Sequence, residues 1–159
     1  MDELKFSALI LVLFLVGFAG FGVLQTQNQP QVVFQTGTLD SAVTVEIADN
    51  SSERRRGLMN RESLCGDCGM LFVYPDQDYK AFWMKNTSIP LDIIFISEDQ
   101  EVVNVEKAGP EPGVADENLT KYYSDEPVKY VVEVNQGYAE RKSIEEGTNV
   151  LFRSIPLDR

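Results

Sequence analysis

Histidine is absent from all 159 residues. That absence removes the commonest general base, the side chain that switches near neutral pH and the usual zinc ligand together. Any chemistry must run on carboxylates, Lys, Tyr, Ser or Cys. Cysteine is scarce, with two residues, and tryptophan occurs once. Positive charge is in short supply: 14 Lys and Arg face 25 Asp and Glu, for a net charge of −11 and a pI near 4.4. Such a surface repels phosphate backbones and anionic headgroups, which argues against a nucleic-acid partner. No internal repeat or heptad pattern occurs. Hydrophobic residues are not lacking: they make up 43% of the chain and aromatics 10%, enough for one core, and the length leaves room for one domain plus an anchor.

Phe6 to Leu24 carries no charge and contains only Ser7 and three glycines among apolar side chains. As a helix it would span about 28 Å, close to the hydrocarbon thickness of a bilayer. The apolar region of a cleaved signal peptide is shorter, about 7–15 residues, and ends at a small-residue cleavage site. Here Gln25-Thr26-Gln27-Asn28-Gln29 follows instead, and no nearby cysteine offers a lipid attachment point. The expectation is an uncleaved single-pass anchor over residues 6–24. Lys5 flanks the run on one side, and no charge follows it until Asp40. The positive-inside tendency then leaves residues 1–5 in the cytoplasm, 25–31 as a linker and 32–159 as a domain outside the cell membrane.

Within that domain, Val43, Val45 and Ile47 alternate with Thr44 and Glu46 as a half-buried strand does. Ser51 or Ser52 would cap a short helix through Arg54 towards Leu58. Gly69 to Tyr74 reads as a strand stopped by Pro75, Lys80 to Lys85 as another and Leu91 to Ile96 as a third. Ser97 to Gln100 is a turn into a hairpin partner at residues 101–105. Residues 109–127 form a long acidic loop, Val128 to Val134 alternate again, Tyr138 to Glu146 is a short helix and Val150 to Phe152 a last strand. Many short strands and little helix predict a mainly β, sandwich-like or barrel-like domain with one or two short helices.

Polar groups concentrate around the sole tryptophan: Trp83, Lys85, Asn86, Thr87 and Asp92 surround a turn at Pro90. They serve either as core and turn residues or as the wall of a small-molecule cleft. Arg54, Arg55, Arg56 and Arg61 crowd into eight residues of an otherwise acidic chain. They would pair with surface carboxylates, or grip a carboxylate or phosphate in two-pronged fashion.

Four ordered blocks carry a resemblance. They are Arg54-x-x-Gly57-Leu58-Met59-x-Arg61-x-x-Leu64; Gly69-Met70-Leu71-Phe72-Val73; Phe82-Trp83-Met84-Lys85-Asn86-Thr87-x-Ile89-Pro90-Leu91-Asp92-Ile93; and Tyr130-Val131-x-Glu133-x-Asn135-x-Gly137. From about Val43 to Phe152 the chain resembles the family known as domain of unknown function 192. The resemblance implies a compact β-sandwich or barrel-like fold in proteins often exported or membrane-anchored, and implies no activity or catalytic set. It singles out Arg54, Arg61, Trp83, Lys85, Asn86, Thr87, Asp92, Glu133 and Asn135 as candidate ligand-binding residues, and leaves Arg55 and Arg56 outside its pattern.

Cys65-Gly66-Asp67-Cys68 departs from that pattern. A disulfide closing a tight loop, a redox pair, a metal site completed by carboxylates or across a dimer, and two free thiols are the alternatives. Asp76, Asp78 and the loop acids match no recognised calcium spacing, so no metal and no cofactor is expected. Asn118 is the best placed of three glycosylation sequons. The leading expectation is a membrane-held binding domain for a small polar or anionic ligand. A hydrolase- or lyase-like enzyme using Asp92 or Glu133 with Lys85, and a scaffold for an unknown protein partner, are the alternatives.

Overall fold

The computed structural model describes residues 29–37 and 39–156. The expected stub, the anchor at 6–24 and most of the linker lie outside the described residues. No helix among the described residues is long and apolar enough to cross a membrane.

The chain is mainly β. Seven strands form one sheet: β1 (Gln31–Gln35), β2 (Ser41–Ala48), β3 (Cys68–Asp78), β5 (Leu91–Ile96), β6 (Val102–Ala108), β8 (Val128–Asn135) and β9 (Asn149–Arg153). Their spatial order is β6-β5-β8-β3-β2-β1-β9. All neighbours are antiparallel except β2 and β3, which run parallel across a connection holding helix α1 (Ser51–Arg56). The sheet curls into a half-barrel whose two edges meet at one corner. There Glu101 bridges Asn149, and Val102 and Val150 donate backbone N–H groups to Thr148 and Gln100. The sandwich and barrel expectations thus resolve into a single curled sheet with two short helices.

Seven strands contribute side chains to the inside of the curl, among them Phe34, Val45, Leu71, Ile94, Val102, Val132 and Val150. Helix α2 (Tyr138–Lys142) packs Tyr138 and Ala139 into the same core. A second apolar layer covers the outer face of the central strands, where Met70, Phe72, Ile93, Phe95 and Val131 meet Leu58, Phe82, Met84 and Ile89. Strands buried on both faces lose polar alternation, which accounts for the apolar runs Ile93–Ile96 in β5 and Tyr130–Val132 in β8.

Several local expectations change. Gln31, expected to close the linker, and residues 32–35, unassigned by their pattern, form β1 between β2 and β9. The helix cap is Asn50, whose Oδ1 accepts from the N–H groups of Ser52 (3.1 Å) and Glu53 (3.0 Å), one residue before the expected serines. Strand β3 runs through Pro75, because its register with β8 breaks between Val73 and Asp78 and no ladder N–H is demanded there. Of Lys80 to Lys85 only β4 (Ala81–Phe82) is extended, pairing in a separate ribbon with β7 (Tyr122–Tyr123) from the long loop. That loop also contains a 3-10 turn at Asp116–Asn118, which leaves Asn118 exposed. The second helix ends at Lys142, four residues short of the expected end.

Candidate functional site

Side-chain alternation decides which candidates can meet. On β5, Asp92 lies on the face of Ile94 and Ile96, towards the inside of the curl. There its Oδ2 accepts from the Ala139 N–H at 2.9 Å, capping α2 from a neighbouring strand. Glu133 on β8 lies on the opposite, outer face with Val131, between Met70 of β3 and Ile93 of β5. The two carboxylates considered as bases are therefore on different faces, and Asp92 is away from the tryptophan.

The outer face carries a cleft. Helix α1 lies on one side and Trp83 on the other, and Ser51, Arg54, Arg55, Met59, Tyr74, Phe82, Trp83 and Lys85 line about 530 Å³. Two cations stand over the Tyr74 ring: the Arg54 guanidinium at 5.0 Å and the Lys80 ammonium at 4.4 Å from the ring centroid. Trp83, 38% exposed, is flanked likewise by Lys121 at 3.5 Å and Lys85 at 5.4 Å. Cations over ring faces are favourable in themselves, by about 0.5–2 kcal/mol. Of these four cations, Arg54 and Lys85 line the cleft. Lys85 also pairs with Asp116 at 2.5 Å, whereas no carboxylate of the described residues pairs with Lys80, Lys121, Arg54 or Arg55. Arg54 is pinned by Nη1, which donates to the carbonyls of Asp49 (2.5 Å) and Val73 (2.8 Å), so α1 and β3 hold it in one orientation. Burial pushes the Tyr74 hydroxyl up to about 12, so it stays a phenol.

Beneath the cleft, a recess of about 40 Å³ reaches the Glu133 carboxyl between Gly57, Leu58, Phe72, Phe82, Trp83 and Thr87. Glu133 is 5% exposed, and burial pushes its carboxyl up to about 8. Among the described residues no charged or hydrogen-bonding partner offsets that burial.

The other candidates fall elsewhere. Arg61 forms a two-pronged pair with Glu46 (2.5 and 2.6 Å), which pulls the Glu46 carboxyl down. It borders a separate depression of about 480 Å³ with Asn86, Thr87 and the 110–119 loop. Thr87 borders both hollows. Asn86 sits at φ 50 in a turn whose carbonyl accepts from Asn60 N–H, a conformation Asn tolerates. Asn135 donates to the carbonyls of Leu64 (3.1 Å) and Cys65 (2.8 Å), fastening the loop before β3. Cys65 and Cys68 form a disulfide in that loop. Tyr74, which lines the cleft, and Lys80 and Lys121, which stand over its two rings, are residues that no sequence pattern pointed to. No group of three or more metal-ligating side chains is present among the described residues.

The geometry defines a class: a β half-barrel with a cationic, aromatic-walled cleft over a buried carboxyl. The chain belongs to the DUF192 family, described as an uncharacterized ACR, whose model matches residues 32–152. A crystal structure of a Sinorhizobium meliloti 1021 protein, provisionally described as a transcription regulator, is similar at 31% identity and a TM-score of 0.71, covering 82% of this chain and 99% of that one. A protein of unknown function from Novosphingobium aromaticivorans DSM 12444 is similar at 34% identity and a TM-score of 0.70, over 76% and 83% of the two chains. No functionally curated protein matches the chain.

Proposed function

We propose that this chain is a membrane-held binding domain, anchored by residues 6–24 with 32–159 outside, that takes a small anionic ligand in the cleft beside Trp83. The observation that carries the ligand class is the pairing of Tyr74 with Arg54 and Lys80, and of Trp83 with Lys85 and Lys121, in a chain of net charge −11. Positive groups gathered over one half-buried and one exposed aromatic ring suit a carboxylate or phosphate joined to an apolar body. The uncharged run from Phe6 to Leu24 supports the anchor. Native and denaturing mass spectrometry of the full chain, extracted in detergent from its own cells, tests the reading. Added mass is expected under native conditions, absent after denaturation and lost from a Trp83→Ala, Lys85→Ala double variant. A ligand held equally by that variant would move the site elsewhere.

Glu133 favours a second reading, an enzyme with this carboxyl as general acid or base, since a buried, unpartnered carboxyl in a cleft is typical of such groups. Here the recovered ligand would change in mass on incubation with wild-type protein and stay unchanged with Glu133→Gln.

A further inference from the structure

We propose that Glu133 is the group that selects the ligand, hydrogen-bonding end-on to an acceptor oxygen of a carboxylate or phosphate ester whose charge is held at the rim by Arg54, Arg55 and Lys85. This inference rests on the reading of the cleft as a binding site and adds what the site recognises.

Three features of the recess point there. First, Glu133 is reachable despite its burial, and Gly57 is the reason. A Cβ at position 57 would stand 3.3 Å from Phe72 Cζ and 3.9 Å from Glu133 Oε2, in the space directly over the carboxyl. Gly57 also has φ 47, which a side chain rarely accepts, so the opening is built into the end of α1. Second, the recess and the large cleft share Arg54, Arg55, Met59, Phe82 and Trp83, so one continues into the other. Its 40 Å³ exceeds the roughly 10–15 Å³ one water needs, and fits the end of one functional group and no more. Third, Glu133 contributes nothing visible to stability. Met70, Ile93 and Phe72 around it are apolar, and a leucine there would avoid the desolvation penalty.

The surroundings decide which ligand group enters. From α1, Arg54, Arg55 and Arg56 border the recess; from β3, Tyr74 is the titratable neighbour; β5 offers Ile93, and the segment after β4 offers Trp83 and Thr87 without charge. A ligand ammonium would have to pass that arginine rim. An oxygen acceptor is drawn in by it, and meets a carboxyl that burial keeps protonated below about pH 8. The acid donates and the ligand oxygen accepts.

Diazo labelling tests this on the full chain in detergent micelles. A small neutral diazoacetamide reacts only with protonated carboxyls. The carboxyl proton moves to the diazo carbon, the carboxylate oxygen bonds to that carbon, and N₂ leaves with the C–N bonding electrons, forming an ester. At pH 6.5 we expect one adduct at Glu133, at least tenfold faster than at any other carboxyl, falling at least tenfold by pH 9.5 and absent from Glu133→Gln. Benzoate and phenyl phosphate serve as anion probes, with Trp83 fluorescence reporting occupancy of the cleft. Either anion should change that fluorescence and slow the labelling in parallel. No preferential adduct at Glu133 overturns the inference. An anion that alters Trp83 fluorescence without slowing the labelling also overturns it, and leaves the binding reading intact. If neither anion alters Trp83 fluorescence, the reading of the cleft fails and the inference falls with it.

Discussion

Replacing Glu133 by glutamine is expected to stabilise the domain in a pH-dependent way. Unfolded, the carboxyl titrates at its ordinary value of 4.5, and in the folded protein it holds its proton to about pH 8. Between those values the folded state binds one more proton than the unfolded state, so stability falls as pH rises. The slope is about 1.4 kcal/mol per pH step, a loss of about 3 kcal/mol by pH 7 and about 5 kcal/mol above pH 8. Glutamine has the same shape and no such proton. Wild type and variant should therefore be nearly equal at pH 5 and diverge to roughly those amounts at pH 7 and 9. Guanidinium unfolding of residues 29–159, followed by circular dichroism at the three pH values, measures the difference. The absence of histidine leaves no other side chain with an ordinary titration in that window, since Cys65 and Cys68 are joined. A gap that stays constant from pH 5 to pH 9 would refute the burial argument.

Three further outcomes follow from particular contacts. Asp92→Ala should lose the cap on α2 and destabilise by about 2 kcal/mol, with faster hydrogen exchange at the Ala139 amide. Arg61→Ala removes an exposed pair with Glu46 and should cost less than about 1 kcal/mol. Because Arg61 lowers the Glu46 carboxyl, that cost is present above pH 4.5 and should fade in unfolding experiments as pH falls below 4.5 and Glu46 takes up its proton. Gly57→Ala forces a side chain to φ 47 beside Phe72 and should lower stability by about 1–2 kcal/mol in a thermal melt.

The strands with strong local patterns, β2, β5, β6 and β8, were legible from alternation or unbroken apolar runs. Strand β1 was not, because Gln31-Val32-Val33-Phe34-Gln35 gains its identity from two long-range neighbours and not from its own period. Pro75 misled because a strand-breaking rule about missing N–H groups applies only where the ladder is continuous. The site shows a similar division. Arg54, Trp83, Lys85, Thr87 and Glu133 were marked by the family's blocks, and the fold gathers them around one hollow or its recess. Asp92 and Asn135 share those blocks yet hold a helix and a loop in place, since polar residues beside apolar runs look alike whether they bind backbone or ligand. Lys80 and Lys121 were invisible as partners. The β4–β7 ribbon, with the Lys80–Ser124 hydrogen bonds at its end, brings their segments together.

The pairing of β1 with β9 has a mechanical consequence. Gln31 lies opposite Arg153, so the segment before β1 and the segment after β9 leave from the same end of two antiparallel neighbours. Tension applied between those two segments acts across the ladder and not along it. The backbone hydrogen bonds between β1 and β9 would be loaded one after another from Gln31 towards Gln35, the geometry of a zipper and not of a shear joint. The force required is set by a single rung at a time, so that seam would open before the β3–β8–β5 centre of the sheet, where the cleft is built, bears any load.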